Sequence, residues 1–320
     1  MRYGIMDHGM LKTPGCHLNS SQEIDSMITI RTSGEKCLCD FTFDFYWQHR
    51  GSRFDPDARI DGWSYRSLVD ALRRGETVKL VGDAGSRLCS SMGVDLMRLG
   101  GGGGAVDVGN VIVDGDVGPR MGISMIRGAI YVSGRVEEPL GNVIEVESDL
   151  SGYRRFVSIT ELVEKGYSPL RPNELSDRVL RISDGISRET IGARNGSPGR
   201  IEVFGNAGMS AGILMRAGFL EIHGSSGRNT GVLLSGGTVV VHGDTDDFTA
   251  TEMRSGEIFV NGNAGGFACA RMRGGCVFAR ECRPVPPARS ASPSPEDLRR
   301  ISKIFGISSI HAMMYRKITV

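Results

Sequence analysis

The residues whose side chains could do chemistry fall into a few short groups. Gly208-Met209-Ser210-Ala211-Gly212 spells G-x-S-x-G, which serves a serine hydrolase when it sits on a strand-to-helix elbow with a histidine and an acid folded near it. Cys37-Leu38-Cys39, with Cys16 upstream, offers thiolates to a metal. Zinc and iron–sulfur sites favour C-x₂-C or wider spacing, and no second pair follows, so Cys37 and Cys39 are weak metal candidates. Alternation through Cys-Leu-Cys-Asp-Phe-Thr-Phe fits a strand with both sulfurs on one face. The run from Gly100 to Gly104 lacks the Gly-Lys-Ser/Thr that opens the helix of a phosphate loop, and Ala105-Val106-Asp107-Val108 reads as a strand. His223 and His242 are 19 residues apart, with no carboxylate or third ligand evident beside them. Trp47, His49, Trp63 and Tyr65 form an aromatic group suited to packing or, with Trp47, Trp63 and Tyr65 as anchors, to docking a partner.

The elements that would position these residues follow from the glycines. Gly205, Gly224, Gly243 and Gly262 recur every 19 residues, and Gly115 and Gly134 repeat that spacing upstream of them. Gly82 begins an earlier unit, 33 residues before Gly115. Each marker follows an alternating apolar stretch such as Ile201-Glu202-Val203 or Val239-Val240-Val241. Further columns recur at fixed offsets. Three residues on stand Gly85, Gly118, Gly208, Gly227, Asp246 and Gly265; seven on, the small residues Cys89, Gly122, Gly212, Gly231, Ala250 and Cys269. Ten on stand Met92, Met125, Met215, Leu234, Met253 and Met272. A low-complexity bias would not align methionine as well as glycine. Short β runs joined by glycine turns make one coil each, and stacked coils about 4.8 Å apart form parallel sheets with inward columns. The expected fold is mainly β: a right-handed parallel β-helix of about 19 residues per coil, with short capping helices at both ends.

This register also weighs on the candidate chemistry. Gly208 and Gly212 occupy repeat columns in which sister coils carry glycine or small residues without the serine, so the G-x-S-x-G match is accounted for by the coil.

Composition narrows the function classes. The chain has 320 residues, 40% hydrophobic and 23% charged, with 45 glycines and a net charge of +1. That charge gives no general attraction to nucleic acid or to an anionic membrane. No apolar run reaches the roughly 20 residues of a bilayer span, and the first ten residues lack a signal-peptide core. Seven cysteines argue against a disulfide framework, and the expected location is cytoplasmic.

The units IEVFGNAGMSAGILMRAGFLEIHG and GEIFVNGNAGGFACARMRGG resemble the glycine-repeat (GXGXG) β-helix of two families. These are the β-helical subunit of formylmethanofuran dehydrogenase and the C-terminal domain of the glutamate synthase large subunit. The Gly-Asn-Ala-Gly turns and the methionine column favour the first. That resemblance implies a non-catalytic scaffold or docking subunit of an oxidoreductase complex that reduces carbon dioxide onto methanofuran, or runs the reverse. It implies no cofactor in this chain, a molybdenum or tungsten pterin on partner subunits, and other redox subunits as partners. The alternative is a glutamate-synthase-type structural domain beside amidotransferase and FMN-binding partners; a second is a stand-alone hydrolase using Ser210.

The expected organisation is an N-terminal cap over 1–76 with one helix, a first solenoid block over 77–136, a non-repetitive insert over 137–199, a second block over 200–282, and a linker with a C-terminal helix over 283–320. Gly82, Gly115, Gly134, Gly205, Gly224, Gly243 and Gly262 are the structural turn glycines. Ser64 to Gly75 predicts a helix, Ser158-Ile159-Thr160-Glu161 a capping box, and Ser294-Pro295-Glu296-Asp297 a helix start. The stretch from Pro284 to Pro295 reads as a linker.

Overall fold

The computed structural model describes residues 27–32, 57–95 and 102–320. Cys16, Cys37, Cys39, Trp47 and His49 lie outside the described residues. The described chain is mainly β, a solenoid of about nine turns with coils about 19 residues apart.

Its strand wall is built from two sheets. In the first, β1 (Met27–Arg31), β4 (Thr77–Val81), β5 (Val111–Asp114) and β6 (Ala129–Val132) run parallel, and β8 (Arg154–Ser158) and β7 (Val143–Val146) close it antiparallel. A small hairpin, β2 (Arg59–Ile60) with β3 (Trp63–Ser64), precedes helix α1 (Tyr65–Arg73). In the second sheet β10 (Val179–Ile182), β11 (Arg200–Val203), β12 (Phe219–Ile222), β13 (Ser235–Val241), β14 (Ser255–Asn263) and β15 (Cys276–Glu281) are parallel. β9 (Glu174–Ser176) pairs antiparallel at one edge, and β17 (Arg316–Thr319) with β16 (Arg289–Ala291) at the other. Exposed parallel edges invite further pairing, and these reversed strands cover them.

Alternation along each strand sends Ile201, Leu220, Val239, Ile258 and Val277 inward as one column, all fully buried. The methionine column faces them: Met92, Met125, Met215, Met253 and Met272 are 0–1% exposed, where an unbranched side chain fills uneven space. The outward faces of β13, β14 and β15 are not left to solvent. Val240, Phe259 and Phe278 are covered by Ile301 of helix α3 (Pro295–Phe305) and by Ala312 of α4 (Ser309–Ala312).

Four of the marker glycines have a steric cause that lies in the residue after the preceding marker. Asp83, Asp116, Asn206, Ser225 and Asp244 each accept a hydrogen bond from the backbone N–H one coil further on, at 2.8–3.2 Å. All but Asp83 thereby fill the space beside the next marker. A Cβ on Gly134, Gly224, Gly243 or Gly262 would overlap Asp116, Asn206, Ser225 or Asp244 respectively.

The opposite wall is not β structure. Ser210 and Leu214 have φ of +62° and +57°, with Gly212 at +69° between them. Alternate amides therefore point opposite ways along the stack: Ser210 N–H donates forward to Arg228 O at 2.7 Å, Gly212 N–H backward to Ile191 O at 2.8 Å, and Leu214 N–H forward to Val232 O at 2.9 Å. Left-handed backbone costs a non-glycine residue roughly 1–2 kcal/mol, and hydrogen bonds to both neighbouring coils offset it. The column seven residues after the marker is small because it points inward, where a Cβ on Gly212 would stand 2.9 Å from Val239 Cγ2.

Within 137–199 the structure differs from the glycine pattern. Val179–Ile182 is a full coil strand, in register with Arg200–Val203 at a spacing of 21, not 19. Its marker position is Asp184, so the glycine count passes over it. The rest of this stretch is β7, β8, α2 (Ile159–Lys165) and β9. On the turn wall the two blocks join through buried side chains. Asn142 donates from Nδ2 to Met125 O and Thr160 Oγ1, both at 2.9 Å, and its Oδ1 accepts from Gly192 N–H at 2.9 Å. One amide thus meets the hydrogen-bonding groups that a missing coil's backbone would meet.

The predicted helices form, one of them with a one-sided box, and two other local expectations change. Ser64 caps α1, and Ser294 with Asp297 makes a reciprocal capping box on α3. Ser158 caps α2, but Glu161 turns to Lys165 Nζ at 2.7 Å, leaving that box one-sided. Pro284 to Pro295 is more than a linker, since it contains β16. Ala105 makes only an isolated bridge to Val94, so 105–108 is not a strand.

Candidate functional site

The turn wall carries a groove of about 330 Å³ where the two blocks meet. Its floor is apolar: Ile123, Met209, Ile213, Leu214, Val232 and Leu233 line it. Backbone alternation produces this directly. Ala211 and Met215 are fully buried, while the left-handed Ser210 and Leu214 border the groove and the left-handed Phe248 and Phe267 are exposed. The rim is polar, with Arg120 Nε on Glu189 Oε2 at 3.0 Å and Ser124 N–H on Thr190 Oγ1 at 3.0 Å across the seam. Further along the same wall, Phe248 and Phe267 stack at 5.1 Å and stand 37% and 60% exposed. Large apolar side chains in an exposed row are characteristic of an interaction surface.

Ser210 borders this groove at 8% exposure. Among the described residues no histidine lines it, and its one carboxylate, Glu189, is held by Arg120. Ser210 sits on the coil wall with a left-handed backbone and no following helix, so the elbow that G-x-S-x-G requires is not formed.

The histidine pair is closer to a ligand set than the sequence spacing indicated. His223 and His242 stack at 5.0 Å with rings 11° apart, and Phe204 continues the stack at 4.6 Å from His223. A carboxylate does stand beside them: Glu221 Oε1 is 2.8 Å from His242 Nε2, and donor atoms of Glu221, His223 and His242 lie within 4.8 Å of one another. Period-two alternation on one strand puts Glu221 on the same face as His223, which is the signal that would have found it. The other Glu221 oxygen is taken by Arg200. The carboxylate is therefore engaged on both sides, and a cation at this point would have to displace the His242 contact.

The remaining candidates are structural in their surroundings. Cys269 is fully buried in the small column and hydrogen-bonded to Cys282, which with burial pushes its thiol well above the usual range. Cys282 itself packs, partly buried, against the core. Tyr65 is 2% exposed in the core of the first block, and Trp63 is 38% exposed on the β2–β3 hairpin.

No family model matches this chain. An uncharacterized protein of Methanothermobacter thermautotrophicus is 50% identical over 185 residues, which are 57% of this chain and 60% of that protein's length. The chain thus spans less than two thirds of that relative. Among solved structures, a chain of the formyltransferase/hydrolase complex (FhcABCD) from Methylorubrum extorquens, in complex with methylofuran, aligns over 81% of this chain and 75% of its own. The TM-score is 0.37 and the sequence identity 19%.

Proposed function

We propose that this chain is a scaffold and docking subunit of an oxidoreductase complex, of the kind its glycine repeat resembles in the β-helical subunit of formylmethanofuran dehydrogenase. The observation that carries the reading is the turn wall. A rigid stack of coils presents an apolar groove at its seam and an exposed phenylalanine pair beyond it. Packing inside the coils gives neither feature a use, because these side chains face away from the core. Aromatic and aliphatic anchors in a concave setting are the residues from which partner hot spots are made. In this reading the redox centre, a molybdenum or tungsten pterin, belongs to a partner subunit, and this chain contributes position.

The test is recovery of the tagged protein from its native host, with mass spectrometry and metal analysis of the eluate. A stoichiometric partner carrying molybdenum or tungsten supports the proposal. Amidotransferase and flavin-binding partners would move the assignment to the glutamate-synthase-type role, and recovery of the chain alone would overturn it.

A further inference from the structure

A second cavity, of about 390 Å³, lies on the other side of Arg194, which lines both this cavity and the apolar groove. Among the described residues its lining holds four arginines, Arg127, Arg178, Arg194 and Arg216, and one carboxylate, Glu164. These described residues carry a net charge of +3, in a chain whose total is +1.

These arginines come from four separate parts of the fold. Arg178 sits in the two-residue turn between β9 and β10, where Asp177 and Arg178 both have positive φ (50° and 62°), as a tight hairpin of that hand requires. Arg194 occupies a left-handed position on the turn wall, with φ of +55°. Arg216 follows the methionine column of the next coil, and its guanidinium reaches across to Gly103 O. Arg127 is 8% exposed and is fixed by Ile126 O at 2.8 Å and by Glu164 of α2 at 2.6 Å. Arg254 and Arg273 hold the place of Arg216 two and three coils on, with Ser235 in the coil between, and are exposed.

Like charges gathered around a concave space repel one another, and the repulsion is stronger there than on a flat, solvated face. The one carboxylate among the described lining residues, Glu164, lies on Arg127. A guanidinium is a planar fork that fits carboxylate or phosphate oxygens two at a time, and the volume lies within the roughly 300–1,000 Å³ of small-molecule sites. We infer that this cavity is a binding site for a small polyanion bearing at least two phosphate or carboxylate groups. The site shares Arg194 with the docking groove, but its proposal does not rest on the partner assigned there.

The experiment is calorimetric titration of the full chain in low-salt buffer with two probes, inorganic pyrophosphate and citrate. Saturable one-to-one binding of either supports the proposal, and the stronger of the two identifies the ligand as phosphorylated or polycarboxylate. Arg178→Gln and Arg216→Gln, both at exposed positions, are each expected to weaken that binding at least tenfold, whereas Arg273→Gln, outside the cavity at the place of Arg216 in a later coil, leaves it within twofold. Absence of saturable binding with both probes would overturn the site. So would binding that Arg273→Gln weakens as much as Arg178→Gln does, because the charge would then act as a diffuse surface.

Discussion

The Asp244 carboxylate accepts a hydrogen bond from the Asn263 backbone N–H one coil further on, at 2.8 Å, and it fills the space that a side chain on Gly262 would need. Gly262 lacks a positive φ, so the demand for glycine there is steric and comes from the neighbour. Gly262→Ala is expected to destabilise the protein by about 1–3 kcal/mol, the usual range for overpacking. Asp244→Ala alone should cost about 1 kcal/mol for the lost hydrogen bond. In the double variant the clash is relieved, so the two costs fall short of additivity. Denaturant midpoints of the four proteins check this, and strict additivity would refute the steric account.

Asn142 is the buried amide that ties the two blocks together. Asn142→Leu keeps a branched side chain but leaves the buried Gly192 N–H without its acceptor, while the Met125 carbonyl keeps only the Ser158 hydroxyl. An unsatisfied buried group costs about 1–3 kcal/mol, so a loss in that range is expected in chemical denaturation. A loss below about 1 kcal/mol, the range of an ordinary exposed contact, would show that the seam does not depend on it.

Asp184 and Arg188 give the fold an acid-sensitive element. Burial raises the Asp184 carboxyl, but the Arg188 guanidinium, bonded through both nitrogens at 2.6 and 2.7 Å, outweighs it with help from Asn173 and the Ile186 N–H, and the pKa is held below the ordinary carboxylate range. A depressed folded pKa means that the stabilisation is fully present above the unfolded value of about 3.9. It is lost as pH falls from there through the folded value. Asp184→Asn should therefore flatten the acid limb of the stability profile below about pH 4. It should also cost about 3–5 kcal/mol at neutral pH, because Arg188 is left buried and uncompensated. Urea midpoints measured across acid pH check both parts.

Two phenylalanines of the repeat separate wall from surface. Phe259 is fully buried beneath α3, stacked on Phe278 at 4.7 Å, while Phe267 is 60% exposed. Phe259→Ala is expected to cost about 3–5 kcal/mol, whereas Phe267→Ser should change stability by no more than about 0.5 kcal/mol. Thermal unfolding of the two variants reads the difference.

These expectations also mark how far the sequence carries. The 19-residue columns were legible because glycine and methionine recur at fixed offsets, and stacked coils require that regularity. The coil at Val179–Ile182 was not legible, since Asp184 replaces its marker glycine and two extra residues break the spacing. The polar column after each marker mixes Asp, Asn and Ser, and its chemistry shows only when the coils are stacked. Asn142 sits outside the repeat, so nothing local announces that it bridges the blocks. Glu221 was legible by alternation with His223, whereas the 19-residue spacing alone passes over it. The arginine cavity draws on turns distant in sequence, which no local pattern brings together.

The central claim is that the turn-wall groove docks a partner. It is tested most directly by comparing native-host recovery of the wild-type protein with that of Leu233→Glu, which puts a charge on the groove floor at a partly buried position. The account predicts a partner containing molybdenum or tungsten on the wild-type chain, and its loss from the variant at unchanged thermal stability. Equal recovery of that partner on a folded Leu233→Glu chain would contradict it.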